Sequence, residues 1–204
     1  MPTNKTYDNL EKMIFSGVGE YGIPEIIPEQ YEPCEWIGFN YAVSTAKRAG
    51  KGVHFFLDDY QFERVWNNRY IEVLRDYDYV LSPDFSMYTD FPKAMQIYNH
   101  YRKHWCAAYM QMNGLRVIPT IAWSDENSFS WCFDGEPVGS VVAVSSVGTQ
   151  NSKAKKAAFL RGYEEMMKRL SPEHVIFFGK VPEELEGDVE KVAAFQERYK
   201  KEGI

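Results

Sequence analysis

The stretch VHFFLDDYQFERVW, residues 53–66, decides the fold of this chain. Its first five residues are apolar or aromatic except for His54, two carboxylates follow at Asp58 and Asp59, and helical spacing begins at Tyr60. A strand without polar alternation is typical of parallel sheets that helices cover on both faces. The stretch therefore predicts a buried strand and a crossover helix, with two acids at the junction between them.

The same pattern of an apolar run followed by a helical segment recurs along the sequence. The runs are WIGF (36–39), VHFFLD (53–58), YVLSPDFS (79–86), RVIPTIAW (116–123), SVVAVSSVG (140–148) and HVIFFGK (174–180). Repeated alternation of strand and helix is typical of right-handed βαβ units. We therefore predict one α/β domain over residues 1–204, with a mostly parallel sheet of about six strands and crossover helices between them.

Two architectures fit this alternation. One is TIM-barrel-like, a short or partly open β/α barrel, and the other is a doubly wound open sheet. Polar residues follow nearly every strand, which favours the barrel, because an open sheet concentrates its site at one switch point. The absence of a glycine-rich dinucleotide fingerprint after the first strand points the same way. In both architectures ligands bind at the carboxyl ends of the strands.

Three aspartates follow three different strands and are the candidate catalytic residues. Asp58, Asp84 and Asp125 could act as acid and base if their surroundings separate their pKa values. Asp58 and Asp84 could instead hold Mg²⁺ or Mn²⁺, which prefer oxygen ligands. The alternative for Asp59 and Asp125 is helix capping, because aspartate is a preferred N-cap residue.

The stretch SSVGTQNSKAKKAAFLRG (145–162) predicts an anion site. Glycine allows close backbone approach, and the free amides at a helix start attract anions. Lys153, Lys155 and Lys156 crowd the first turn, where the helix dipole disfavours cations, so a bound phosphate or carboxylate would offset the conflict. The alternative is a solvated basic face with Ser152 as N-cap. The ligand-binding residues predicted here and at other strand ends are Asn40, Ser86, Trp123, Trp131, Ser145, Ser146, Gly148, Thr149, Asn151, Lys153 and Lys156.

An aromatic segment at residues 121–139 takes the place of one crossover helix. Its rings could form a stacking wall for a base or a sugar, or they could pack as part of the core. The four rings concerned are Trp123, Phe129, Trp131 and Phe133.

Two histidines lie four residues apart in the longest helical pattern, His100 and His104, and so share one helix face. This spacing can bind a metal, but only with further ligands, and no HExxH motif is present. The histidines flank an apolar stripe, which predicts a surface or edge position for them. The stripe consists of Ala94, Tyr98, Tyr101, Trp105, Ala108 and Met112.

The composition narrows the function classes. The net charge of −6 argues against general coating of duplex DNA, because such surfaces are usually basic. Cys34, Cys106 and Cys132 are widely spaced and fit no zinc or disulfide framework, which predicts reduced thiols. The chain has neither a signal-peptide core at its start nor an apolar run approaching the ~20 residues of a membrane span. A cytoplasmic protein without membrane contact is expected.

Five long stretches between residues 35 and 180 are specific enough to indicate a family. They are IGFNYA, VHFFLDDYQFERVW, LSPDFSMYTDFPKAMQIYNHYRKHW, VIPTIAWSDENSFSWCFDG and VAVSSVGTQNSK. Together they resemble a bacterial and phage-borne family known as domain of unknown function number 4417. The resemblance implies a prokaryotic or mobile-element origin and supplies no catalytic residue.

Two functions from different classes follow. The first is an enzyme or binding domain for a phosphorylated small molecule, a nucleotide or a nucleic-acid end, with catalysis itself left open. The second is a non-catalytic counter-defence protein of a mobile element, which would inhibit a basic host protein that handles nucleic acid through charge complementarity. A concave pocket at the strand ends favours the first, and a filled, flat face with an acidic patch elsewhere favours the second.

Overall fold

The computed structural model describes residues 2–3, 12–185 and 189–192. Its strands are β1 (Pro2–Thr3), β2 (Ile14–Phe15), β3 (Gly17–Val18), β4 (Ile23–Pro24), β5 (Glu35–Gly38), β6 (Lys51–His54), β7 (Tyr79–Leu81), β8 (Val117–Ile118), β9 (Val141–Ser145), β10 (His174–Phe178) and β11 (Val189–Val192). Its α-helices are α1 (Phe39–Ala42), α2 (Asp59–Phe62), α3 (Ile71–Leu74), α4 (Lys93–Met112) and α5 (Lys153–Leu170). Two 3-10 helices span Glu63–Asn67 and Glu126–Ser130.

The larger strands form two parallel sheets. One has the order β5-β6-β7-β8 and the other the order β11-β10-β9, and every pair in both sheets is parallel. A parallel bridge between Thr120 and Ala143 links the end of the first sheet to the second. The predicted α/β class with parallel strands is therefore confirmed, although the sequence predicted about six strands in one sheet rather than four and three in two.

Strand β11 is a correction to the sequence analysis, in which a helical segment follows each apolar run, including the last one at residues 174–180. Residues Val189–Val192 instead pair in parallel with β10. Val192 is only 9% exposed and packs in the core, so its burial as an edge strand outweighs the helical spacing of the sequence. The rest of the predicted helix lies outside the described residues.

The helical patterns after β5 and β6 are shorter than predicted. After α1, the hydroxyls of Ser44 and Thr45 both donate to the carbonyl of Tyr41, and such local bonds compete with helix continuation. After β6 the pattern breaks into α2, a 3-10 turn and α3, and Asn68, which has a left-handed φ of 59°, ends the 3-10 turn. Asparagine tolerates that region better than most residues.

Helix α4 turns a polar face towards the interior. Tyr98 and Met112 of the predicted apolar stripe are 49% and 46% exposed. The surface position predicted for His100 and His104 is wrong, since they are 1% and 0% exposed. Trp105 and Ala108 of that stripe are buried, as predicted. The helix also buries a polar set that the sequence analysis did not place inside: Gln96, Asn99, His100, Lys103 and His104.

The buried polar stripe of α4 holds the segment that follows β7. The side-chain amide of Gln96 donates to the carbonyls of Tyr88 (3.1 Å) and Phe91 (2.9 Å). That of Asn99 donates to the carbonyl of Ser86 at 2.6 Å. These bonds satisfy buried amides that would otherwise be costly, and they fix a segment that has no helix or strand of its own.

Candidate functional site

A cavity of about 740 Å³ lies beyond the carboxyl ends of β6, β7, β8 and β9. Helix α5 contributes one wall. The aromatic residues that line it are Phe56, Tyr88, Phe91, Trp123 and Phe159. The polar ones are Asp84, Thr89, Asp90, Ser124, Ser145, Thr149 and Lys155. Asp84, the acid that follows β7 in the sequence, therefore lines a concavity at the face formed by the strand carboxyl ends.

Five of the residues predicted to form a site line this cavity: Asp84, Trp123, Ser145, Gly148 and Thr149. They come from the ends of three different strands and meet because consecutive parallel strands place their carboxyl ends at one edge. The backbone at Gly148 has φ of 78°, and no atom lies within 4 Å of the position of a Cβ there. The chain can therefore approach a ligand closely at this turn.

Asp84 is the most perturbed acid of the cavity. Part of the residue faces the cavity, but protein surrounds the carboxyl. Burial raises the pKa of Asp84 to about 7, helped by the charge of Asp59 and opposed by that of Lys103. The carboxyl can therefore gain or lose a proton near neutral pH, as groups in active sites often do.

The other two candidate catalytic acids lie elsewhere. Asp58 is exposed and is not among the residues that line the cavity, so the structure does not place it with Asp84 as a Mg²⁺ or Mn²⁺ pair. Asp125 is also exposed, and its carboxylate accepts from the backbone (3.0 Å) and side-chain (3.2 Å) amides of Asn127. It caps the 3-10 helix that follows, which is the alternative stated for it from the sequence.

Asp59 and Ser86 are hydrogen-bonded to each other next to the lining residues Asp84 and Met87. Asp59 is the first residue of α2 and not its cap. Its carboxylate accepts from the hydroxyl of Ser86 at 2.7 Å and from the backbone amide of the same residue at 3.2 Å. Ser86, predicted as a ligand contact, therefore anchors the segment after β7 instead of lining the cavity.

Only one of the three lysines at the start of α5 lines the cavity. It is Lys155, which the sequence analysis left out of the binding set. Lys153 is exposed, and Lys156 pairs with Glu184 at 2.6 Å. Ser152 accepts from the amide of Lys155 at 3.2 Å, so the predicted N-cap is confirmed.

The remaining predicted contacts are not among the lining residues. Asn40 lies in α1, and Asn151 is exposed. Ser146 is buried and donates to the carbonyl of Lys180 at 2.8 Å. Trp131 is 2% exposed and belongs to the core, because the aromatic segment folds back under the sheet and leaves only Trp123 of its four rings at the cavity.

The sequence analysis missed the aromatic residues that follow Asp84. Tyr88 and Phe91 line the cavity, and their rings meet edge to face with centroids 5.1 Å apart. The available signal was a segment rich in aromatic residues directly after a buried strand, before a long helix.

Gly162 determines where the ring of Trp123 lies. A Cβ at Gly162 would stand 2.1 Å from Nε1 of Trp123. In a helix, glycine to alanine ordinarily stabilises by about 1 kcal/mol. Here we expect Gly162→Ala to destabilise by about 1–3 kcal/mol, because the added methyl overpacks the contact and displaces the ring. Urea unfolding with tryptophan fluorescence measures both effects, with Glu164→Ala on the exposed face as control, and a stabilised Gly162→Ala variant would contradict this geometry.

Behind the cavity lies a buried polar cluster formed by α4 and the segment around Glu136. Lys103 donates to Oε1 of Glu136 at 2.5 Å, and Nε2 of His104 lies 3.0 Å from the same oxygen. Burial raises the pKa of Glu136, but the charges of Lys103 and His104 outweigh it and the pKa is lowered. Burial lowers the pKa of His104 and, more strongly, that of His100.

Within the described part of the chain, one group of at least three side chains has the composition and spacing to hold a metal ion. It consists of His100, His104 and Glu136, with one donor atom from each within 4.8 Å of the others. The spacing of the two histidines was visible in the sequence. The third member was not, because only the fold brings residue 136 to α4.

No helix in the described part of the chain is both long enough and apolar enough to cross a membrane.

Comparison with known proteins places these features in a family. The family described as Domain of unknown function (DUF4417) matches residues 15–196. Over 174 residues, 83% of this chain, the sequence is 38% identical to the "Gene 1 protein" of Mycobacterium phage L5 and covers 76% of it. It is 37% identical to the "Gene 1 protein" of Mycobacterium phage D29 and covers 64% of that protein, less than two thirds of its length. No solved structure matches. With a family match over most of its length and two phage relatives, the chain belongs to the DUF4417 family.

Proposed function

We propose that this protein binds a phosphorylated ligand with a planar ring, a nucleotide or a nucleic-acid end, in the cavity at the strand carboxyl ends. The observation that carries the proposal is the combination of an aromatic lining with Lys155 and the Ser145–Thr149 turn in one concavity. Its volume of about 740 Å³ lies in the range of ~300–1,000 Å³ that is usual for ligand sites.

The aromatic side chains support recognition of a ring. Tyr88 is 59% exposed although it lines a cavity, so its ring is available to a ligand. Trp123 packs against Phe159 with ring centroids 5.4 Å apart, which orients the indole. Stacking of a base on such a ring contributes about 1–3 kcal/mol.

The start of α5 supports recognition of a phosphate. Lys155 supplies positive charge, and helix starts carry partial positive charge on free amides. Ser145, Gly148 and Thr149 line the cavity in one turn. The hydroxyl of Ser145 accepts from the amide of Val147 at 3.2 Å, and that of Thr149 donates to the carbonyl of Ser146 at 2.7 Å, which holds the turn open at Gly148. A phosphate at this turn would offset the unfavourable position of the lysine against the helix dipole.

Asp84 and Asp90 give the same cavity two carboxyl groups. Asp84 can exchange a proton near pH 7, so proton transfer to or from the bound ligand is the reaction class we propose. Alternatively, Mg²⁺ or Mn²⁺ could join these oxygens to a phosphate, because both ions prefer such ligands. Binding measurements with and without Mg²⁺ distinguish the two roles.

A thermal-shift experiment tests the proposal. A panel of phosphate, ribonucleotides and short 5′-phosphorylated oligonucleotides should include a member that raises the melting temperature of the wild type, since ligands that bind only the native state stabilise it. Lys155→Glu should abolish that rise. Lys153→Glu, an equal charge change on the exposed side of the same turn, should leave it intact.

The same experiment, with the Lys155→Glu and Lys153→Glu variants, can also contradict the proposal. If no member of the panel stabilises the wild type, or if the two variants respond alike, the lysines form only a solvated basic face. Inhibition of a basic host protein would then be the better supported function.

The second function, inhibition of a basic host protein, is favoured by two observations. The relatives are phage proteins, and the chain has a net charge of −6, which would attract a basic partner. Complexes formed with a mycobacterial lysate should then weaken steeply with salt and be unaffected by Lys155→Glu. Complexes insensitive to salt would argue against charge complementarity.

We further propose that the two sheets continue as one short, partly open barrel. The bridge from Thr120 to Ala143 supports this, as does the contact between Trp36 of β5 and Phe178 of β10, with ring centroids 6.2 Å apart. An arrangement of this kind collects the ends of consecutive strands around one cavity.

A cytoplasmic location remains part of the proposal. Cys34, Cys106 and Cys132 are free thiols in the described structure, and burial raises the pKa of each to about 12. Thiols that stay protonated and reduced suit a reducing compartment.

A further inference from the structure

The buried cluster of α4 contains three side chains whose donor atoms face one another. His100, His104 and Glu136 have one donor atom each within 4.8 Å of the others. The side chains of His104 and Glu136 are 0% exposed, and His100 is 1% exposed. This cluster takes no part in the cavity proposed above as the ligand site.

Backbone carbonyls determine which nitrogen of each histidine carries the proton. Nε2 of His100 lies 3.1 Å from the carbonyl of Asp134, and Nδ1 of His104 lies 2.8 Å from that of Pro24. A carbonyl only accepts, so each of these nitrogens donates. The lone pairs of neutral rings are therefore on Nδ1 of His100 and Nε2 of His104. Metal-binding histidines are oriented by the same kind of bond from the other ring nitrogen.

The acceptor atoms of the three side chains have no hydrogen-bond donors that satisfy them all. Nδ1 of His100 and Oε2 of Glu136 are buried without a hydrogen-bond partner among the described residues. Nε2 of His104 points at Oε1 of Glu136 over 3.0 Å, an arrangement that two acceptors adopt only with a cation or a proton between them.

Lys103 and Gly135 lie directly against the cluster, and each constrains one of its side chains. Lys103 binds Oε1 of Glu136 and the carbonyl of Thr120, which leaves Oε2 for another partner and orients the carboxylate as outer partners of metal sites do. A Cβ at Gly135 would stand 2.8 Å from Nδ1 of His104. The turn can therefore approach the helix only because that residue is glycine.

We propose that His100, His104 and Glu136 bind a divalent transition-metal ion, with Zn²⁺ as the leading candidate. Two imidazoles and one carboxylate form a donor set that suits Zn²⁺, with water in the remaining position. Because the cluster is enclosed by protein, the ion would tie α4 to the turn at residues 134–136 and stabilise that contact.

Metal analysis of the wild-type chain, purified without a polyhistidine tag, is the first test. Protein expressed with added zinc should carry close to one metal ion per chain by elemental mass spectrometry. After removal of the metal, Zn²⁺ should restore an increase in melting temperature at a 1:1 ratio, and Co²⁺ should give visible absorption bands typical of a protein-bound ion.

Variants locate the ion. Glu136→Gln keeps the shape of the side chain and an acceptor for Lys103, and it should weaken Zn²⁺ binding at least ~10–100-fold, as loss of metal-site interactions does. His100→Ala should do the same. The control is His174→Ala, which removes a histidine outside the cluster and should leave the affinity unchanged.

The wild-type titration decides the question even if a variant fails to fold. A wild type that holds no metal after expression with zinc, and whose melting temperature ignores both Zn²⁺ and chelator, would overturn the proposal. The cluster would then be a buried ion-pair network only. Equal loss of affinity in the His174→Ala control would also overturn it, by placing the ion elsewhere.

Discussion

Replacing Asp84 with asparagine is expected to stabilise the protein at pH 8 by about 2 kcal/mol, and by less at pH 5. The native carboxyl has a pKa of about 7 against an ordinary 3.8. Ionising a carboxyl with such a displaced pKa costs at most roughly 4 kcal/mol, and partial access to cavity solvent reduces this to about half. The asparagine side chain has no charge to bury.

The direction of the pH dependence follows from proton binding. Between about pH 4 and pH 7 the unfolded chain has lost the Asp84 proton while the native protein retains it. The native state therefore binds more protons, and this group makes stability fall as pH rises through that window and level off above it. Asp84→Asn removes this contribution, so its advantage over the wild type should grow from pH 5 to pH 8.

Urea unfolding at the two pH values measures the effect. The matched control is Asp58→Asn, which changes an exposed carboxylate at the end of the preceding strand and should alter stability by no more than about 0.5 kcal/mol. An Asp84→Asn variant that is less stable than the wild type at pH 8 would show that the carboxyl is ionised and paired at neutral pH.

Glu136→Leu is expected to destabilise the protein by about 3–5 kcal/mol when chelator is present. The leucine has a similar size, but Lys103, 3% exposed, loses its counter-charge. Breaking one side of a buried ion pair is costly because the other charge stays buried. Chelator removes any metal from both proteins, so the comparison isolates the ion pair.

The double variant Lys103→Met with Glu136→Leu provides the control. It should recover at least half of the loss, because apolar residues of similar volume can replace a buried pair at little cost. The 2.5 Å separation of Lys103 and Glu136 indicates that the ion pair stabilises the native state. A Glu136→Leu variant close to wild-type stability, or a double variant no more stable than the single one, would contradict this.

The positions of the parallel strands were predictable from the sequence, and so were some of the residues that line the cavity at their carboxyl ends. Apolar runs without alternation marked the parallel strands, and the residues after them include Asp84, Trp123 and Ser145, which line the cavity. The choice among the lysines of α5 was not predictable. Lys153, Lys155 and Lys156 lie on one short turn, and only Lys155, one helical turn before the buried Phe159, lines the cavity.

The orientation of α4 was the clearest failure of sequence reasoning. A hydrophobic pattern assumes that apolar residues turn inward, but Lys103 and His104 of α4 turn inward and contact Glu136 in the interior. Polar residues spaced three and four apart on a long helix were the available signal. It could not be distinguished from a solvated face until the partner at residue 136 was in place, 33 residues away from Lys103.

A crystal structure of the protein with the nucleotide that stabilises it most tests the central claim most directly. The account predicts the phosphate at the turn of residues 145–149, beside Lys155, with the base against Trp123 or Tyr88. Density for the nucleotide at another surface, with the cavity filled only by solvent, would contradict the assignment of this cavity as the ligand site.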